Sequence, residues 1–508
     1  MNVTAPDVLR AIVDQARAAP DLLAVRDLGR EVTYGQLINE AARLGAGLAA
    51  LGVVEGDRVA LLLPNSVDFV TAALASLWIG AIFVPLAVTD PEARLATIVL
   101  DCKPVVVVTS DTRGERSSTF SSLAGAALTS FSAITISGLK PKEPLPTSAR
   151  VAYAIYTSGT TGTPKGVLIG TTAFGAAVQA TSNALGLNRA TRTLCVSPFH
   201  FDGSFATLFP TLFSGGAVIL RPREALLFPR TFFNAVADEA ITYTGFSPSY
   251  LRLLLSSPQV TRLGESQLDV IALGGEASSI SDVRALWAHA PKIRVFNRYG
   301  PTETAIAVTH VHLTPEVTGD AMVPMGTPHS GVSFHLIDDE GSVIEGPDQV
   351  GALYIGGSQL MDGYWGATEL TNDVLRNDVV AGEVVYRTGD LVYKNRQGNY
   401  VYVDRSDRVV KRSGVRVSLI ELSVVMRGLA NVSAAACVAY DDEDELAIAA
   451  FVVVDAATSA LELRRLAAEQ LPDTMLPNRI EFVERLPLNS SSKLDERLLL
   501  SEAGLRPL

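Results

Sequence analysis

A loop rich in glycine and small hydroxyl residues, Tyr156–Val167, is the stretch of this sequence whose composition is best suited to chemistry. It follows the apolar run Val151–Ile155, which predicts a buried strand, and it leads into a second apolar run at Val167–Ile169. Glycines allow several backbone N–H groups to turn toward one anion, and the hydroxyl groups add further donors. We therefore predict a polyphosphate-binding loop; the alternative is a flexible connector.

The residues around Lys165 exclude a Walker A loop, because Pro164 precedes this lysine and Gly166 follows it. The twelve residues instead resemble the phosphate-binding signature of the adenylate-forming enzymes. That superfamily includes acyl-CoA synthetases, firefly luciferase and the adenylation domains of nonribosomal peptide synthetases. Its members use ATP to convert a carboxylic acid into an acyl-adenylate, which usually passes to a thiol. The resemblance implies these phosphate-binding residues: Thr157, Ser158, Gly159, Thr160, Thr161, Gly162 and Lys165.

A second motif, Asn297–Glu303, lies where a predicted strand ends in a Gly-Pro turn. Parallel strands present ligand contacts at this end, although a polar surface turn would have a similar sequence. The resemblance implies that Thr302 contacts the α-phosphate and that Glu303 helps to hold Mg²⁺, a cation that prefers carboxylate and phosphate oxygens. It also implies that these residues contact adenine or ribose: Gly274, Gly275, Glu276, Asn297, Arg298 and Tyr299.

A third motif, Tyr386–Leu391, contains the carboxylate of Asp390 near the end of a predicted strand. A carboxylate accepts two hydrogen bonds, so it can bind both hydroxyls of a ribose. The resemblance gives Asp390 this role, and it implies a ribose or phosphate contact for Arg405 and a hinge between two domains at Asp407. Taken singly, these charged residues would indicate surface ion pairs.

Near the end of the sequence, Leu486–Asp495 resembles the family's loop that delivers a mobile catalytic lysine. Lys493 would then offset negative charge as a carboxylate oxygen attacks phosphorus, acting together with Thr302 and Glu303. The family usually has glycine immediately before this lysine, whereas this chain has Ser492. The alternatives are a solvent-exposed lysine and a nucleotide-binding protein that is catalytically silent.

The stretch Pro198–Phe205 bears on the substrate class. In amino-acid-activating members of the family an aspartate at the position of Asp202 pairs with the substrate ammonium; the alternative is a helix N-cap. We predict an amino acid substrate. Carried over by position, the rest of the pocket is small and apolar: Gly203, Ala206, Leu220, Gly245, Ile271, Leu273, Ile306 and Ala307. Leu220 would close the pocket floor and limit the chain length of the substrate, although a core position is the more common role of such a leucine.

The run Phe199–Gly216 also resembles stand-alone enzymes that activate β-amino acids for macrolactam polyketide starters. We therefore predict ATP- and Mg²⁺-dependent activation of a small amino acid, a short aliphatic β-amino acid. Arg298 leaves an alternative open, since an inward guanidinium would pair with a second carboxylate, as in an aspartate-like or other α-amino acid. An acyl-CoA ligase for non-amino acids, or a luciferase-like oxygenase by fold analogy, are further alternatives.

Transfer of the aminoacyl group is expected to involve a separate carrier protein. The sequence continues for fifteen residues beyond Lys493, which is too short for a carrier domain with its own phosphopantetheine serine. We therefore expect the acceptor thiol to belong to the phosphopantetheine of a stand-alone acyl or peptidyl carrier.

Strand-like and helical patterns alternate along most of the chain, as in Arg58–Leu63, Val67–Gly80 and Ala81–Leu86. Such alternation predicts an α/β fold of largely parallel, helix-covered sheets. Short strands after Phe334 predict a small β-barrel-like subdomain, and a mobile α+β unit follows. The predicted N-terminal core covers residues 1–404, with the barrel-like part at 333–404. The predicted C-terminal domain covers residues 405–508.

Composition limits the partners and the compartment. The chain has 508 residues, of which 48% are hydrophobic and 19% are charged, and its net charge is −12. This acidity, without a long basic run, argues against a nucleic-acid partner. We also expect no membrane span and no secretion signal, which predicts a cytoplasmic protein. The three cysteines lie among apolar residues and are expected to be buried, reduced thiols: Cys102, Cys195 and Cys437.

Overall fold

The computed structural model describes residues 3–90, 92–110, 127–131, 150–158, 164–315, 322–405, 409–412, 415–442, 445–469, 471, 476–489 and 494–507. Helices within these residues are Ala5–Ala18, Tyr34–Ala50, Val67–Trp78, Glu92–Cys102, Thr171–Leu185, Phe205–Phe213, Arg223–Leu226, Pro229–Asp238, Pro248–Leu255, Ile280–His289, Thr368–Val374, Leu419–Gly428, Ala460–Ala468 and Glu496–Glu502. Short 3₁₀ helices are Asp202–Ser204, Pro258–Glu265 and Thr302–Thr304.

Two large sheets form the first part of the chain. In spatial order, the eight-stranded sheet contains Thr309–Leu313, Arg294–Tyr299, Val270–Gly274, Tyr243–Phe246, Arg192–Cys195, Ala217–Leu220, Leu23–Arg26 and Glu31–Thr33. The seven-stranded sheet contains Gly363–Tyr364, Pro164–Gly170, Val151–Ser158, Ile82–Pro85, Arg58–Leu62, Val106–Thr109 and Ala127–Ser130. The inner pairs are parallel, and antiparallel pairs occur toward the edges. This confirms the predicted class of helix-covered, largely parallel sheets.

One hydrophobic core joins the two sheets. It contains residues of both sheets and of the helices Val67–Trp78 and Phe205–Phe213. The first of these helices begins at Ser66, whose hydroxyl accepts a hydrogen bond from the backbone of Phe69. Its buried residues lie all round its circumference, as expected of a helix covered on every side. The core thereby fixes the strand ends that carry the polar motifs.

The barrel-like subdomain is a five-stranded antiparallel sheet. Its strands are Val332–Ile337, Val350–Gly357, Glu383–Lys394 and Leu375–Val380 in that order, with Tyr400–Arg405 paired to Glu383–Lys394. The strand Glu383–Lys394 is long because it pairs with Val350–Gly357 on both sides of a register irregularity and with Tyr400–Arg405 from Asp390 onward; Gly389, within the irregularity, has φ +76°. Asp390 therefore lies inside a long paired strand.

The C-terminal residues build their own core. Strands Arg479–Phe482, Glu445–Val454, Val432–Asp442 and Arg506–Pro507 form one sheet, and Val409–Arg412 pairs antiparallel with Val415–Ser418. Core clusters in this part draw on residues from Val417 to Leu505. Asp407, the predicted hinge, lies outside the described residues, so the boundary after residue 404 stays a prediction.

The helices and the cysteines bear on two predictions, the absence of a membrane span and the burial of the thiols. Among the described residues, every helix is too short or too polar to cross a bilayer. The three cysteines are free and buried. Burial raises the pKa of the Cys102 and Cys437 thiols to about 12 and that of Cys195 to about 11, so all three favour the protonated, unreactive form.

Candidate active site

Two paired strands flank the predicted phosphate loop. Val151–Ser158 and Pro164–Gly170 are antiparallel neighbours, with Thr157 opposite Lys165. Four of the predicted phosphate contacts lie outside the described residues: Gly159, Thr160, Thr161 and Gly162. The same holds for the Ser158 side chain. At the edge of this gap the hydroxyl of Thr157 is buried without a hydrogen-bond partner among the described residues. The sheet thus fixes both ends of the loop.

Lys165 belongs to a three-membered polar cluster. Its Nζ lies 2.7 Å from the hydroxyl of Tyr364 and 3.3 Å from Oε1 of Glu303, and the Tyr364 hydroxyl donates to that same oxygen at 2.8 Å. The cluster brings the phosphate motif next to the Thr302–Thr304 turn, although 138 residues separate the lysine from the glutamate. Burial and the negative charge of Glu303 raise the pKa of Tyr364, which keeps its phenol protonated as a donor.

Tyr299 and Asp390, predicted to contact adenine and ribose, touch each other. The Tyr299 hydroxyl donates to Oδ2 of Asp390. Arg405 is paired with Asp390 across the sheet, and its Nη1 lies 3.4 Å from Oδ1. Asn297 is buried, and its amide donates to the Pro324 carbonyl at 2.8 Å and accepts from Ser278 at 3.1 Å. Internal hydrogen bonds therefore orient these side chains.

Glu276, predicted to cover adenine, bonds to the start of the helix Pro248–Leu255. Its Oε2 accepts hydrogen bonds from the Ser249 backbone at 3.0 Å and from the Ser249 hydroxyl at 2.6 Å. A carboxylate at a helix N-terminus interacts favourably with the helix dipole. The other oxygen, Oε1, is buried without a hydrogen-bond partner among the described residues. This position favours a structural capping role alongside any ligand contact.

A cavity of ≈ 640 Å³ connects these groups with the C-terminal residues. Its lining includes Tyr299, Thr302, Asp390 and Arg405 from one side. From the other side it includes Leu488 and Leu494, which flank the segment containing Lys493 and form a β-bridge with each other. Lys493 itself lies outside the described residues. We call this space the nucleotide cavity.

A smaller cavity of ≈ 40 Å³ adjoins the nucleotide cavity and contains Asp202 in its wall. We call it the acid cavity. Its lining residues are Val196, Ser197, Phe201, Asp202, Gly203, Phe246, Ser247, Gly274, Gly275, Arg298, Gly300 and Ile306. Five of them, Phe201, Asp202, Gly275, Arg298 and Gly300, also line the nucleotide cavity. Asp202 is 4% exposed and begins a short 3₁₀ helix, so its carboxylate is held at the junction of the two spaces.

Arg298 points inward, which the sequence left open. Its side chain passes over Gly274, where an added Cβ would lie 2.5 Å from Cγ of the arginine. The guanidinium then reaches Gly245 and lies 3.5 Å from the carbonyl oxygen of Gly203. Two strand glycines make the groove that accepts this side chain. Nη1 is buried without a hydrogen-bond partner among the described residues, so a positive charge faces the acid cavity.

Several predicted wall positions lie elsewhere. Ile271 and Leu273 pack into the core beneath the helix Ile280–His289, because successive strand residues face opposite sides of a sheet. Gly274, one residue further on, faces the cavity instead. Leu220 is fully buried in the main core and borders a different cavity. Ala206 and Ala307 are core residues, whereas Gly203 and Ile306 lie in the acid cavity wall as expected.

One tyrosine of the site, Tyr364, and one core tyrosine beside it, Tyr153, were missed by sequence reasoning. Tyr364 completes the cluster around Lys165, and its position after Gly363 in a polar turn was the available signal. Tyr153 lies in the middle of an apolar strand and looked like a core residue. Its hydroxyl is buried without a hydrogen-bond partner in the described part of the chain. Burial raises its pKa well above the ordinary value, and the charge of Asp202 adds to that shift.

Comparison with known proteins agrees with this geometry. A family model described as AMP-binding enzyme matches residues 12–365, and one described as AMP-binding enzyme C-terminal domain matches residues 423–493. The chain therefore belongs to the AMP-binding enzyme family, within the adenylate-forming superfamily. This confirms the family predicted from the sequence motifs.

Similar proteins include a lipopeptide synthase and a nonribosomal peptide synthetase. The isonitrile lipopeptide synthase of Streptomyces coeruleorubidus is 31% identical over 507 residues, which cover 98% of this chain and 33% of that protein. A four-domain nonribosomal peptide synthetase crystallised with AMP and glycine is 25% identical with a TM-score of 0.84, covering 97% of this chain and 36% of that one. The chain spans between 9% and 34% of the length of the curated relatives it matches.

Full-length similarity of fold is found with ATP-bound MatB from Rhodopseudomonas palustris. The TM-score is 0.86 at 22% sequence identity, and the match covers 99% of each chain. This likeness shows the fold, including a C-terminal domain of the same kind.

Proposed function

We propose that this protein activates a small amino acid, a short aliphatic β-amino acid, as an aminoacyl-adenylate. The aminoacyl group then passes to the phosphopantetheine thiol of a separate carrier protein. The observation that carries the proposal is the buried carboxylate of Asp202 at the junction of the acid and nucleotide cavities. A carboxylate in this wall complements an ammonium group on the substrate. The resemblance of the run Phe199–Gly216 supports the β position of that amine.

The arrangement suits in-line attack on ATP. With its ammonium at Asp202, the substrate places its own carboxylate toward Thr302, in the nucleotide cavity. A carboxylate oxygen attacks the α-phosphorus and pyrophosphate leaves, which forms the acyl-adenylate. Lys165 provides positive charge at the edge of the phosphate loop, and Lys493 supplies the second cation in our proposal. Asp390 accepts hydrogen bonds from the ribose hydroxyls.

Glu303 fits a magnesium site. It is 7% exposed and its Oε1 already accepts hydrogen bonds from Lys165 and Tyr364, which orient the carboxylate beside the phosphate loop. Mg²⁺ typically binds one or two protein carboxylates together with substrate phosphates and water. Bound there, the ion would neutralise phosphate charge. The residues present therefore match the ATP and Mg²⁺ requirement that we propose.

Substrate-dependent ATP–pyrophosphate exchange tests the proposal. The wild type and Asp202→Asn are assayed with α-amino, β-amino and non-amino acids, and Asp378→Asn, an exposed aspartate, is the matched control. We expect short β-amino acids to give the strongest exchange. Removing one partner of a buried charge pair costs about 2–5 kcal/mol, so Asp202→Asn should lower kcat/KM by about 30-fold or more. Exchange with simple acids that survives this substitution would instead favour the acyl-CoA ligase.

The identity of the acceptor thiol is tested by loading the activated acid onto a carrier protein. We expect the activated acid to appear as a thioester on a phosphopantetheinylated carrier protein added separately, and free coenzyme A to be a poor acceptor. Efficient acyl-CoA formation would contradict this part of the proposal. Loss of adenylate formation in Lys493→Ala would support the role of that lysine.

A second candidate substrate is an aspartate-like amino acid, which the inward guanidinium of Arg298 favours. In that case amino acids with a second carboxylate should be preferred by the wild type. Arg298→Met should remove this preference, while Arg294→Met, on the same strand with an exposed partner, should not. Wild-type preference for uncharged side chains would exclude this candidate.

A further inference from the structure

Behind the acid cavity lies a chain of three polar side chains that the proposed reaction does not use. Nδ1 of His310 lies 2.9 Å from Nε2 of His329, and the two rings are nearly parallel, with centroids 5.1 Å apart. Nδ1 of His329 lies 3.1 Å from Oε1 of Gln359. Gln359 is 2% exposed. Buried polar groups of this kind are costly unless they are hydrogen-bonded, so the chain has a defined arrangement.

The hydrogen-bond partners of Gln359 assign every proton in this chain. Its amide nitrogen lies 2.8 Å from the carbonyl oxygen of Ala307, and at 3.3 and 3.4 Å from those of Ala305 and Thr304, so this end is the donor. Oε1 is then an acceptor, and Nδ1 of neutral His329 carries the proton. Nε2 of His329 therefore accepts, and Nδ1 of His310 donates. Nε2 of His310 is then an acceptor that no proton of this chain of side chains reaches.

The His310 end of the chain lies on the strand next to that of Arg298. His310 and Arg298 are directly paired on neighbouring antiparallel strands, so their side chains leave the same face of the sheet. Nε2 of His310 and Nη1 of Arg298 are both buried without hydrogen-bond partners among the described residues. The Arg298 guanidinium extends over Gly274 and Gly245, on the strands at the other side of Arg298, so no hydrogen bond joins the two groups. Burial lowers the pKa of His310 and the positive charge of Arg298 contributes, which keeps the imidazole neutral.

The other end supports a strained turn. Ala305 and Ile306 have φ of +55° and +72°, a conformation that is unfavourable for residues with a Cβ and most unfavourable for a β-branched one. This turn follows Glu303 and places Ile306 in the wall of the acid cavity. The Gln359 amide donates to three carbonyl groups of this same turn. Such hydrogen bonds offset the cost of the backbone conformation.

We propose that Gln359, His329 and His310 form a positioning relay that shapes the acid cavity through the turn that presents Ile306. The Gln359 amide holds this turn, and the two histidines fix the orientation of that amide. The relay acts on binding of the carboxylic acid substrate, whatever its side chain, and not on ATP. It rests on acid activation as proposed above, but its proton arrangement is measurable without any activity.

¹⁵N NMR of the histidine rings tests the arrangement directly. The chain has six histidines, so the signals of His310 and His329 can be assigned with the His310→Gln and His329→Leu variants. We expect both rings to be neutral with the proton on Nδ1. A proton on Nε2 of His310 would overturn the proposal, and this result is independent of which acid is activated.

Steady-state kinetics test the effect of the relay on binding of the acid substrate. His329→Leu breaks the relay, and we expect the KM for the acid to rise about tenfold, the effect of roughly 1.4 kcal/mol, with the KM for ATP unchanged. Gln359→Glu keeps an acceptor for His329 but loses the amide donors, so the ring protons should stay in place while the KM for the acid still rises. His335→Gln, a histidine paired with Glu383 in the barrel-like sheet, is the control. An equal rise in both KM values, or none, would overturn the proposal.

Discussion

The polar side chains of the two adjoining cavities differ in their hydrogen-bonding partners. In the nucleotide cavity, Asp390 is bound by Tyr299 and Arg405, and the neighbouring Lys165 and Glu303 bind each other through hydrogen bonds. In the acid cavity, Nη1 of Arg298 is buried without a hydrogen-bond partner among the described residues. Thr157 and Glu276, on the nucleotide side, also have a buried oxygen without a partner among the described residues. The contrast is therefore between the hydrogen-bonded Asp390 and Lys165 groups and Nη1 of Arg298, which we infer the acid substrate pairs with.

This difference has a consequence for specificity. A preorganised nucleotide side serves every substrate alike, because its contacts do not depend on the acid. Buried polar groups that only a ligand can pair discriminate strongly between ligands, since a ligand lacking the matching group leaves them unpaired. Changes on the two sides should therefore produce different kinetic patterns.

The largest effect is expected on the nucleotide side, with Lys165→Met. Loss of the cation beside the phosphate loop should lower kcat for exchange by about 10²-fold, and to the same extent with every acid tested. Lys292→Met, at an exposed position, is the control. A loss that depends on the acid would contradict the separation of the two sides. The measurement is pyrophosphate exchange across the substrate panel.

Asp390→Asn should have the next largest effect. The amide still accepts a hydrogen bond from Tyr299, but it lacks the charge and one of the two oxygens proposed for ribose. We expect the KM for ATP to rise about tenfold, which corresponds to loss of a hydrogen bond to a charged group, and the KM for the acid to remain constant. The exposed Asp373 provides the control substitution Asp373→Asn. A change confined to the acid KM would refute the ribose assignment.

Two Tyr→Phe variants compare how much a hydrogen-bonded hydroxyl and a hydroxyl without a partner contribute to the free energy of unfolding. The Tyr243 hydroxyl donates to the Ala206 carbonyl at 3.2 Å, whereas the Tyr153 hydroxyl is buried without a partner among the described residues. Tyr243→Phe should lower the free energy of unfolding by about 1 kcal/mol, and Tyr153→Phe should leave it equal or higher. Urea unfolding of both variants gives the comparison. A larger loss for Tyr153→Phe would show that its hydroxyl is already satisfied.

The smallest effect concerns the thiols. Because burial raises the pKa values of Cys102, Cys195 and Cys437 to about 12, 11 and 12, thiolate is scarce in the folded protein at about pH 8. Alkylation by iodoacetamide should therefore be slow in the native protein and fast in denaturant, with activity retained. Rapid native labelling at any of the three positions would contradict the burial described.

The structure brings together more of the residues predicted for the nucleotide side than of those predicted for the acid side, for physical reasons. Lys165, Tyr299 and Asp390 were predicted from contiguous motifs at strand ends, and each lies beside another predicted residue. The acid cavity is assembled from single positions on several strands. A shift of one residue reverses the face, which is why Ile271 and Leu273 lie in the core.

Contacts between distant segments also escaped sequence reasoning. The direction of Arg298 depends on glycines in two neighbouring strands. The Glu303 partner of Tyr364 and the carbonyl partners of the Gln359 amide lie more than fifty residues away along the chain. The fold class followed from alternating strands and helices, whereas the length of Glu383–Lys394 depended on pairing across the sheet.

The central claim is that Asp202 binds the substrate ammonium. A crystal structure with a non-hydrolysable β-aminoacyl sulfamoyl adenosine tests it most directly. We predict the β-ammonium at hydrogen-bonding distance, about 2.8 Å, from the Asp202 carboxylate, with adenosine against Tyr299 and Asp390. An ammonium directed away from Asp202, with the adenosine still in place, would contradict the account.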